Sequence, residues 1–251
     1  MKKLLHWIRL PFMVLYKTYF VLLFFVYLLL LYPFFVYNMN RKNFKRGMFW
    51  FRVWSWLMRL SSGIILRAHG KENLPKGPYI LVSNHSSYLD IVFMYQIIKE
   101  HFVFMGKAEL NQWPLIRIFF RSGMNISVNR ANRKDSHRAL QEARQVLEEG
   151  KVLVIFPEGT IPNHTPRMKR FKNGAFKVAI DTGVPIVPVT FTSNYKRMMN
   201  GGYFKAQASP GICPCFIHKP IQTKGMTDED LVALREQTFE TIKSKIPFYG
   251  N

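Results

Sequence analysis

A histidine and an aspartate stand close together in a polar segment that directly follows an apolar one. Residues 79–82, Tyr-Ile-Leu-Val, predict a short buried strand, and His85 and Asp90 come next in the chain. On one continuous helix the two side chains would point about 140° apart and would not meet. If the helix instead begins near Ser86 or Ser87, the carboxylate can fold back onto the imidazole ring and leave the other ring nitrogen free. This pattern predicts a general base for an incoming hydroxyl, and its alternative is a structural histidine.

A second polar turn follows another apolar segment. Residues 151–156, Lys-Val-Leu-Val-Ile-Phe, predict a buried strand, and Glu158, Gly159 and Thr160 come after it. A carboxylate at the end of a buried strand costs desolvation energy unless it is paired or belongs to a site. Gly159 allows close backbone approach, so the turn can hold an anionic or oxyanionic group on its amides. The alternative is an ordinary turn built from Pro and Gly.

Two cations, Lys107 and Arg130, are candidates for holding an anionic substrate. Arg binds phosphate or carboxylate through two parallel N–H groups, whereas Lys acts as a point charge. The alternative is solvated surface, because the chain carries 36 Lys and Arg against 15 Asp and Glu, a net charge of +21. Such an excess predicts an anionic partner.

The distribution of charge favours lipid over nucleic acid. All charged residues before Glu72, the first acid of the chain, are cations, and they flank the most apolar segment. Residues 18–40 carry no charge and are long enough to span a membrane. Because cations stand at both ends and Pro33 lies near the second, we expect a re-entrant or in-plane helix with both ends in the cytosol rather than a span.

The next segment, residues 44–66, predicts a second, amphipathic helix. Lys45, Arg52 and Arg59 recur every seven residues and form one basic stripe, while aromatic residues that include Trp50, Trp54 and Trp56 cover much of the remainder. A basic, tryptophan-rich helix is typical of a membrane interface. The alternative is an ordinary core helix with its tryptophans packed inward.

From Arg67 onward, strands and helices alternate. Residues 136–149 predict a helix, residues 184–191 predict a strand at an irregular or edge position because of Pro185 and Pro188, and Thr227 opens a helix that reaches about residue 245. This alternation predicts an α/β fold with a mixed, largely parallel sheet and helices packed on it. Cys213 and Cys215 are expected to be reduced structural thiols.

Several segments together resemble the glycerophospholipid acyltransferase family. Asn84, His85 and Asp90 resemble its motif I, residues 156–160 resemble motif III, and residues 184–189 resemble motif IV. The order and the separations agree, as does the segment that contains Phe171, Lys172 and Gly174. The likeness covers approximately residues 71–221, and the apolar N-terminal region is similar to the membrane-associated helices of the bacterial members.

This resemblance implies an enzyme with a glycerol-3-phosphate acyltransferase-like fold, in which His85 is the base and Asp90 orients it. The residues expected to bind substrate are Asn84, Lys107, Arg130, Glu158, Gly159, Thr160 and Lys172. The resemblance also implies an acyl-carrier-protein or coenzyme A thioester as co-substrate, with no cofactor and no metal. Lysophosphatidic acid is the expected acceptor, anionic membrane lipid is a further partner, and nucleic acid is not.

Two positions depart from the family pattern. Motif II usually ends in Asp-Arg, whereas this chain has Asn129-Arg130, and motif III usually continues with an Arg where Ile161 stands. In the family these arginines are associated with the acceptor phosphate. One alternative is therefore an O-acyltransferase for an N-acyl amino-acid lipid of the glycine- or ornithine-lipid type. Another is a membrane-surface or nucleic-acid-binding protein that retains only the fold.

We expect two parts in the chain, a membrane-associated two-helix module in residues 1–66 and an acyltransferase domain in residues 67–251. The expected location is the bacterial inner (cytoplasmic) membrane, with the second part facing the cytoplasm.

Overall fold

The computed structural model describes residues 2–129 and 131–249. Its seven strands form one sheet in the order β1-β7-β6-β2-β5-β3-β4. The strands are β1 Ile64–His69, β2 Ile80–Ser83, β3 Phe102–Lys107, β4 Ile126–Val128, β5 Val152–Ile155, β6 Ile186–Phe191 and β7 Gly211–Ile217. Neighbouring strands are parallel except β6 and β7, which are antiparallel. The prediction of a mixed, largely parallel sheet is confirmed.

The α-helices of the described residues are α1 Lys2–Asn40, α2 Phe44–Ser62, α3 Leu89–Ile97, α4 Ile118–Arg121, α5 Arg133–Glu148, α6 Gly174–Thr182, α7 Asn194–Arg197 and α8 Leu231–Lys243. The helix predicted over residues 136–149 corresponds to α5. The predicted helix start at Thr227 is also confirmed, because Thr227 and Asp230 form a capping box ahead of a 3₁₀ turn, Asp228–Asp230, and α8.

The buried strands place successive side chains on opposite faces of the sheet. In β2, Leu81 packs in a cluster with side chains of α1, α2 and α3, whereas Ile80 and Val82 pack in a second cluster with α5, α6 and α8. The same alternation divides β5, where Val154 joins the first cluster and Leu153 the second. Since side chains alternate with a period of two, the helices cover both faces and β2 and β5 lie in the middle.

Helices α1 and α2 form an antiparallel pair against the first face. Phe34 stacks on Trp50 at 4.1 Å between ring centroids, and the Tyr19 hydroxyl donates to the Ser61 carbonyl at 2.7 Å. Among the described helices, α1 is long and apolar enough over Arg9–Asn40 to cross a membrane, by length and composition. It continues through Pro33 without ending. Whether α1 spans or re-enters a membrane stays a prediction.

The helix predicted to reach residue 66 ends earlier, at Ser62. Gly63 adopts a left-handed conformation with φ 66°, which ends α2, and β1 begins one residue later. β1 then pairs with β7 at the far side of the sheet. The helix prediction is therefore wrong over its last residues, because the apolar residues after Gly63 suit a strand as well as a helix.

The edge position predicted for residues 184–191 is also wrong. β6 lies between β7 and β2, and all six of its residues are buried. Pro188 fits an interior strand because its carbonyl accepts from the His218 amide at 2.9 Å, where the antiparallel ladder with β7 ends. Because Pro188 stands at the end of this ladder, the absence of its N–H interrupts no hydrogen bond within the ladder.

Candidate active site

His85 and Asp90 meet at the carboxyl end of β2. The chain leaves β2 at Ser83, passes through an extended turn and enters α3 at Leu89, which is later than the predicted start near residue 86 or 87. Asp90 lies in the first helical turn, and its Oδ2 is 3.0 Å from Nδ1 of His85. The predicted contact between the two side chains is present, because the turn directs the carboxylate back toward the ring.

The Asp90 carboxylate is buried and surrounded by hydrogen-bond donors. Its Oδ2 also accepts from the backbone amides of Ser86 at 2.6 Å and Ser87 at 2.9 Å, and its Oδ1 accepts from Asn194 Nδ2 at 2.7 Å. The side chain has no solvent exposure. Such donors fix the orientation of a buried carboxylate. Asp90 is thus a rigid acceptor for the N–H of the His85 ring.

Asn194 is the member of this cluster that the sequence analysis missed. It is the first residue of α7, it follows β6, and it is fully buried. Its Nδ2 binds Asp90, while its Oδ1 is buried without a hydrogen-bond partner among the described residues. The only available signal is a polar residue shortly after a buried strand, and no spacing in the sequence links it to Asp90.

The His85 ring lies partly buried on an aromatic neighbour. Phe156, directly after β5, stacks on it with ring centroids 4.1 Å apart, and the His85 side chain is 12% exposed. Nδ1 is engaged by Asp90, and Nε2 has no hydrogen-bond partner within residues 2–129 and 131–249. A neutral imidazole in this arrangement donates from Nδ1 and presents Nε2 as a proton acceptor.

Glu158 connects the second polar turn to the first. Its Oε1 accepts from the backbone amide of His85 at 2.8 Å, and its Oε2 accepts from the amide of Lys169 at 2.8 Å. The residue is 4% exposed, and burial raises the pKa of its carboxyl to about 7 in spite of both hydrogen bonds. Glu158 therefore holds the His85 turn in place.

This raised pKa predicts a pH dependence of stability. Below the ordinary pKa of 4.5 both states are protonated, whereas between pH 4.5 and 7 the unfolded chain ionises first, so stability falls as pH rises. Across this pH range the raised pKa of Glu158 lowers the free energy of unfolding by about 3 kcal/mol. Burial lowers the pKa of His101 and of His218 to about 4, which acts in the opposite direction in both proteins, so the difference between wild type and variant isolates Glu158. We expect the melting temperature of wild type, taken relative to that of Glu158→Gln in the same detergent, to fall from pH 5 to pH 8. Glu148→Gln, on the exposed side of α5, is the control, and parallel curves for all three proteins would contradict the prediction.

Asn84 lies beside this cluster but turns away from it. Its Nδ2 donates to the Phe191 carbonyl at 2.9 Å, and its Oδ1 accepts from the Phe191 amide at 2.8 Å. The side chain thus uses both of its polar groups to join the end of β2 to the end of β6. Gly159 adopts φ 78°, a left-handed conformation that favours glycine, and Thr160 next to it is half-buried.

The predicted cations have different positions. Lys107 is exposed at the carboxyl end of β3, and Lys172 is exposed while its amide donates to the Pro157 carbonyl at 2.9 Å. Both lie on segments that reach the same edge of the sheet as His85. Arg130 lies outside the described residues. Within the residues that are described, His, Cys, Asp and Glu side chains form no group of three that could hold a metal.

The two cysteines lie on β7, away from these turns. Both are free thiols and both are buried. Burial raises the pKa of Cys213 to about 12 and that of Cys215 still further. The thiols therefore stay protonated at neutral pH and serve as small apolar groups in the core, as predicted.

Known proteins resemble this chain in sequence and in fold. Residues 65–192 match the family model described as Acyltransferase. The 1-acyl-sn-glycerol-3-phosphate acyltransferase alpha of Mus musculus is 33% identical over 179 residues, which cover 69% of this chain and 61% of that protein. The 1-acyl-sn-glycerol-3-phosphate acyltransferase of Chlamydomonas reinhardtii is 32% identical over 180 residues, which cover 70% of this chain and 53% of that protein. The match thus spans less than two thirds of these relatives' length.

A bacterial relative and a crystal structure extend the comparison. The 1-acyl-sn-glycerol-3-phosphate acyltransferase of Haemophilus influenzae is 29% identical over 168 residues, which cover 66% of this chain and 68% of that protein. The crystal structure of the 1-acyl-sn-glycerophosphate (LPA) acyltransferase PlsC from Thermotoga maritima superposes with a TM-score of 0.76 at 26% identity, and the match covers 95% of each chain. On its sequence, its fold and the position of the His85 turn within the matched segment, this chain belongs to the Acyltransferase family.

Proposed function

We propose that this protein transfers a fatty-acyl group from a thioester donor to the free hydroxyl of lysophosphatidic acid and so forms phosphatidic acid. The observation that carries the proposal is the 3.0 Å contact between His85 and the fully buried Asp90, in a chain of the Acyltransferase family. The named activity of the relatives supports the choice of acceptor. The donor in this proposal is acyl-carrier protein or coenzyme A carrying the acyl chain.

In the proposed mechanism His85 acts as general base. Nε2 takes the proton of the acceptor hydroxyl while the oxygen attacks the thioester carbonyl, and the resulting imidazolium is stabilised by Asp90. The tetrahedral intermediate collapses with cleavage of the carbon–sulfur bond. The departing thiolate takes the proton back from Nε2, so the base is restored and no metal or redox step is needed.

Three polar residues are proposed to position this pair rather than to touch substrate. Asn194 fixes Asp90 because its Nδ2 donates to Oδ1 of Asp90, Asn84 joins the His85 turn to β6, and Glu158 accepts from the His85 backbone amide. Acceptor binding then falls to the exposed cations at the same edge of the sheet, Lys107 and Lys172, together with Arg130. Gly159 and Thr160 provide the turn against which the acceptor lies.

The location and the division of the chain belong to the same proposal. Helices α1 and α2 attach the protein to the bacterial inner membrane as a re-entrant or in-plane pair, and the remainder faces the cytoplasm. The boundary expected after residue 66 would fall inside β1, so the second part is proposed to begin with β1 at Ile64. The support is the apolar length of α1 and the cations at both of its ends. Cysteines introduced near Lys3 and Lys45 test the topology, because labelling from opposite sides of the membrane would establish a span.

Ile161 favours a second candidate acceptor. It stands where the family pattern has an Arg, and it is buried with 6% exposure, so this position offers no charge to a phosphate. An N-acyl amino-acid lipid carries a carboxylate that a single guanidinium can bind. Incubation of the protein with labelled donor and a panel of acceptors decides between the two. If lysophosphatidic acid is ignored and an N-acyl amino acid is acylated, the second candidate is correct.

A substitution at this position gives a complementary prediction. If lysophosphatidic acid is the natural acceptor, we expect Ile161→Arg to keep or lower the KM for it, because a charge-assisted contact contributes about 1.5 to 3 kcal/mol. Ile161→Gln is the matched control for loss of the buried apolar side chain without added charge. A rise in the KM for lysophosphatidic acid in the Arg variant alone would contradict this acceptor.

A further inference from the structure

A cavity lies between α2, β1 and the carboxyl-terminal end of α3, away from the His85 turn. Its volume is about 630 Å³, a size that accommodates a small molecule or a lipid headgroup. Tyr95 and Gln96 of α3 line it, whereas Asp90 lies in the first turn of the same helix. The cavity and the His85–Asp90 pair are therefore separated by about 9 Å along the helix axis.

All charged side chains that line the cavity are cations, namely Arg52, Arg59, Lys71 and Lys99. None of the four forms an ion pair with another described residue. Nε of Arg59 is in addition buried without a hydrogen-bond partner in the described part of the chain. The nearest acid, Glu100, interacts electrostatically with Arg52 and lies outside the lining. The lining cations therefore still repel one another, and a buried donor without a partner is costly, so a bound anion would offset both effects.

Arg52 is fixed at this cavity by the end of α3. Its Nη2 donates to the carbonyls of Lys99 at 2.5 Å and Glu100 at 3.0 Å, which follow the last turn of the helix. The basic stripe of α2 thus has a tertiary role, because two of its three members, Arg52 and Arg59, project into one concave surface. Lys45 lies nearly two helical turns before Arg52 and outside the lining.

The remaining lining is apolar and continues onto an exposed surface of α2. Val53, Leu66 and Ile98 form part of the wall. Trp56 lines the cavity while it is 51% exposed, and Leu60, one turn further along α2, is 55% exposed. α2 is paired with α1, the one described helix with the length and composition of a membrane span, so the proposed membrane attachment through these two helices would bring the side chains to the interface.

From the unpaired cations, the apolar wall and the position beside α1, we infer that this cavity binds the headgroup of an anionic membrane phospholipid. The lipid phosphate contacts Arg59 and the two lysines, and the glycerol backbone and the first chain carbons lie along Val53 and Leu66. A soluble anion would use the cations but not the apolar wall, and a zwitterionic lipid would bring a competing positive charge. The site concerns binding and is independent of the proposed acyl transfer.

The experiment measures lipid binding without turnover. The full chain carrying His85→Ala is purified in detergent, and binding of phosphatidylglycerol and phosphatidylcholine is titrated by native mass spectrometry. We expect phosphatidylglycerol to bind more tightly, and the added double substitution Arg59→Gln and Lys71→Gln to raise its Kd by at least about tenfold, the size of one lost charge-assisted contact. The pair Lys219→Gln and Lys224→Gln removes the same charge outside the cavity and should leave the Kd unchanged.

Several results would overturn the inference. An unchanged Kd in the cavity variant, with its melting temperature preserved, would show that the lipid binds elsewhere, and a loss seen only with Lys107→Gln and Lys172→Gln would place it beside His85. Binding of glycerol 3-phosphate as tight as that of phosphatidylglycerol would assign the cavity to a soluble anion. If the cavity variant lost binding of acyl-carrier protein but still bound phosphatidylglycerol like the parent protein, the cavity would be assigned to an acidic protein.

Discussion

Substitution of His85 by Ala is expected to lower kcat/KM for acyl transfer by about 10² to 10⁴, the usual contribution of a general base. The loss should appear in kcat rather than in KM, because Nε2 acts on the hydroxyl proton in the transition state. The variant should fold, since the backbone amide that binds Glu158 is retained and the ring is only partly buried against Phe156. A thioester-consumption assay with lysophosphatidic acid, together with a melting curve, measures both effects.

His137→Ala is the matched control, because His137 is an exposed histidine on α5. It should keep wild-type activity. Added imidazole should restore part of the activity of His85→Ala, since a small base can enter the space that the ring leaves. Near-normal turnover by His85→Ala would exclude the mechanism, whatever the acceptor.

The second large effect is expected for Asp90→Asn, with a loss on the order of 10⁴ in kcat if the carboxylate both orients and stabilises the His85 ring. In the wild type three N–H donors converge on Oδ2 of Asp90, and Asn194 donates to Oδ1. If the side-chain oxygen of Asn at position 90 takes the place of Oδ2, its NH₂ group takes the place of Oδ1 and faces the NH₂ group of Asn194. An Asn can also present its NH₂ to Nδ1 of His85. In that case the imidazole adopts the wrong tautomer and Nε2 carries the proton.

Asn194 separates orientation of the carboxylate from its charge. Asn194→Ala keeps the charge and removes one donor, so we expect a smaller loss in kcat, about tenfold. In the double variant Asp90→Asn with Asn194→Asp the carboxylate is moved away from the ring, and activity should stay low although the total charge is that of wild type. The expected order of kcat is wild type, Asn194→Ala and then Asp90→Asn. Equal activity of Asp90→Asn and wild type would refute a role for the carboxylate. Recovery of kcat in the double variant would show that the carboxylate need not stand at position 90.

Local relations in this chain could be predicted from the sequence. The contact between His85 and Asp90 joins residues five apart and depends on a turn between a strand and a helix, which residues 79–90 specify by themselves. The buried strands β2 and β5 and the helices α5 and α8 follow from runs and periodicities within single segments. The amphipathic basic stripe of α2 was visible in the same way, because residues seven apart share a helix face.

Relations between distant segments were decided by the tertiary structure. Glu158 is 73 residues from the His85 amide that it binds, Asn194 is 104 residues from Asp90, and Asn84 is 107 residues from Phe191. These contacts depend on strand order, which places β2 between β5 and β6 and brings the residues after all three strands to one edge. The spacing of residues along a chain predicts only which side chains within one element, or in the turn next to it, can contact one another. The interior position of β6, the hydrogen bond from Asn194 and the cavity beside α2 therefore became visible only once the sheet was assembled.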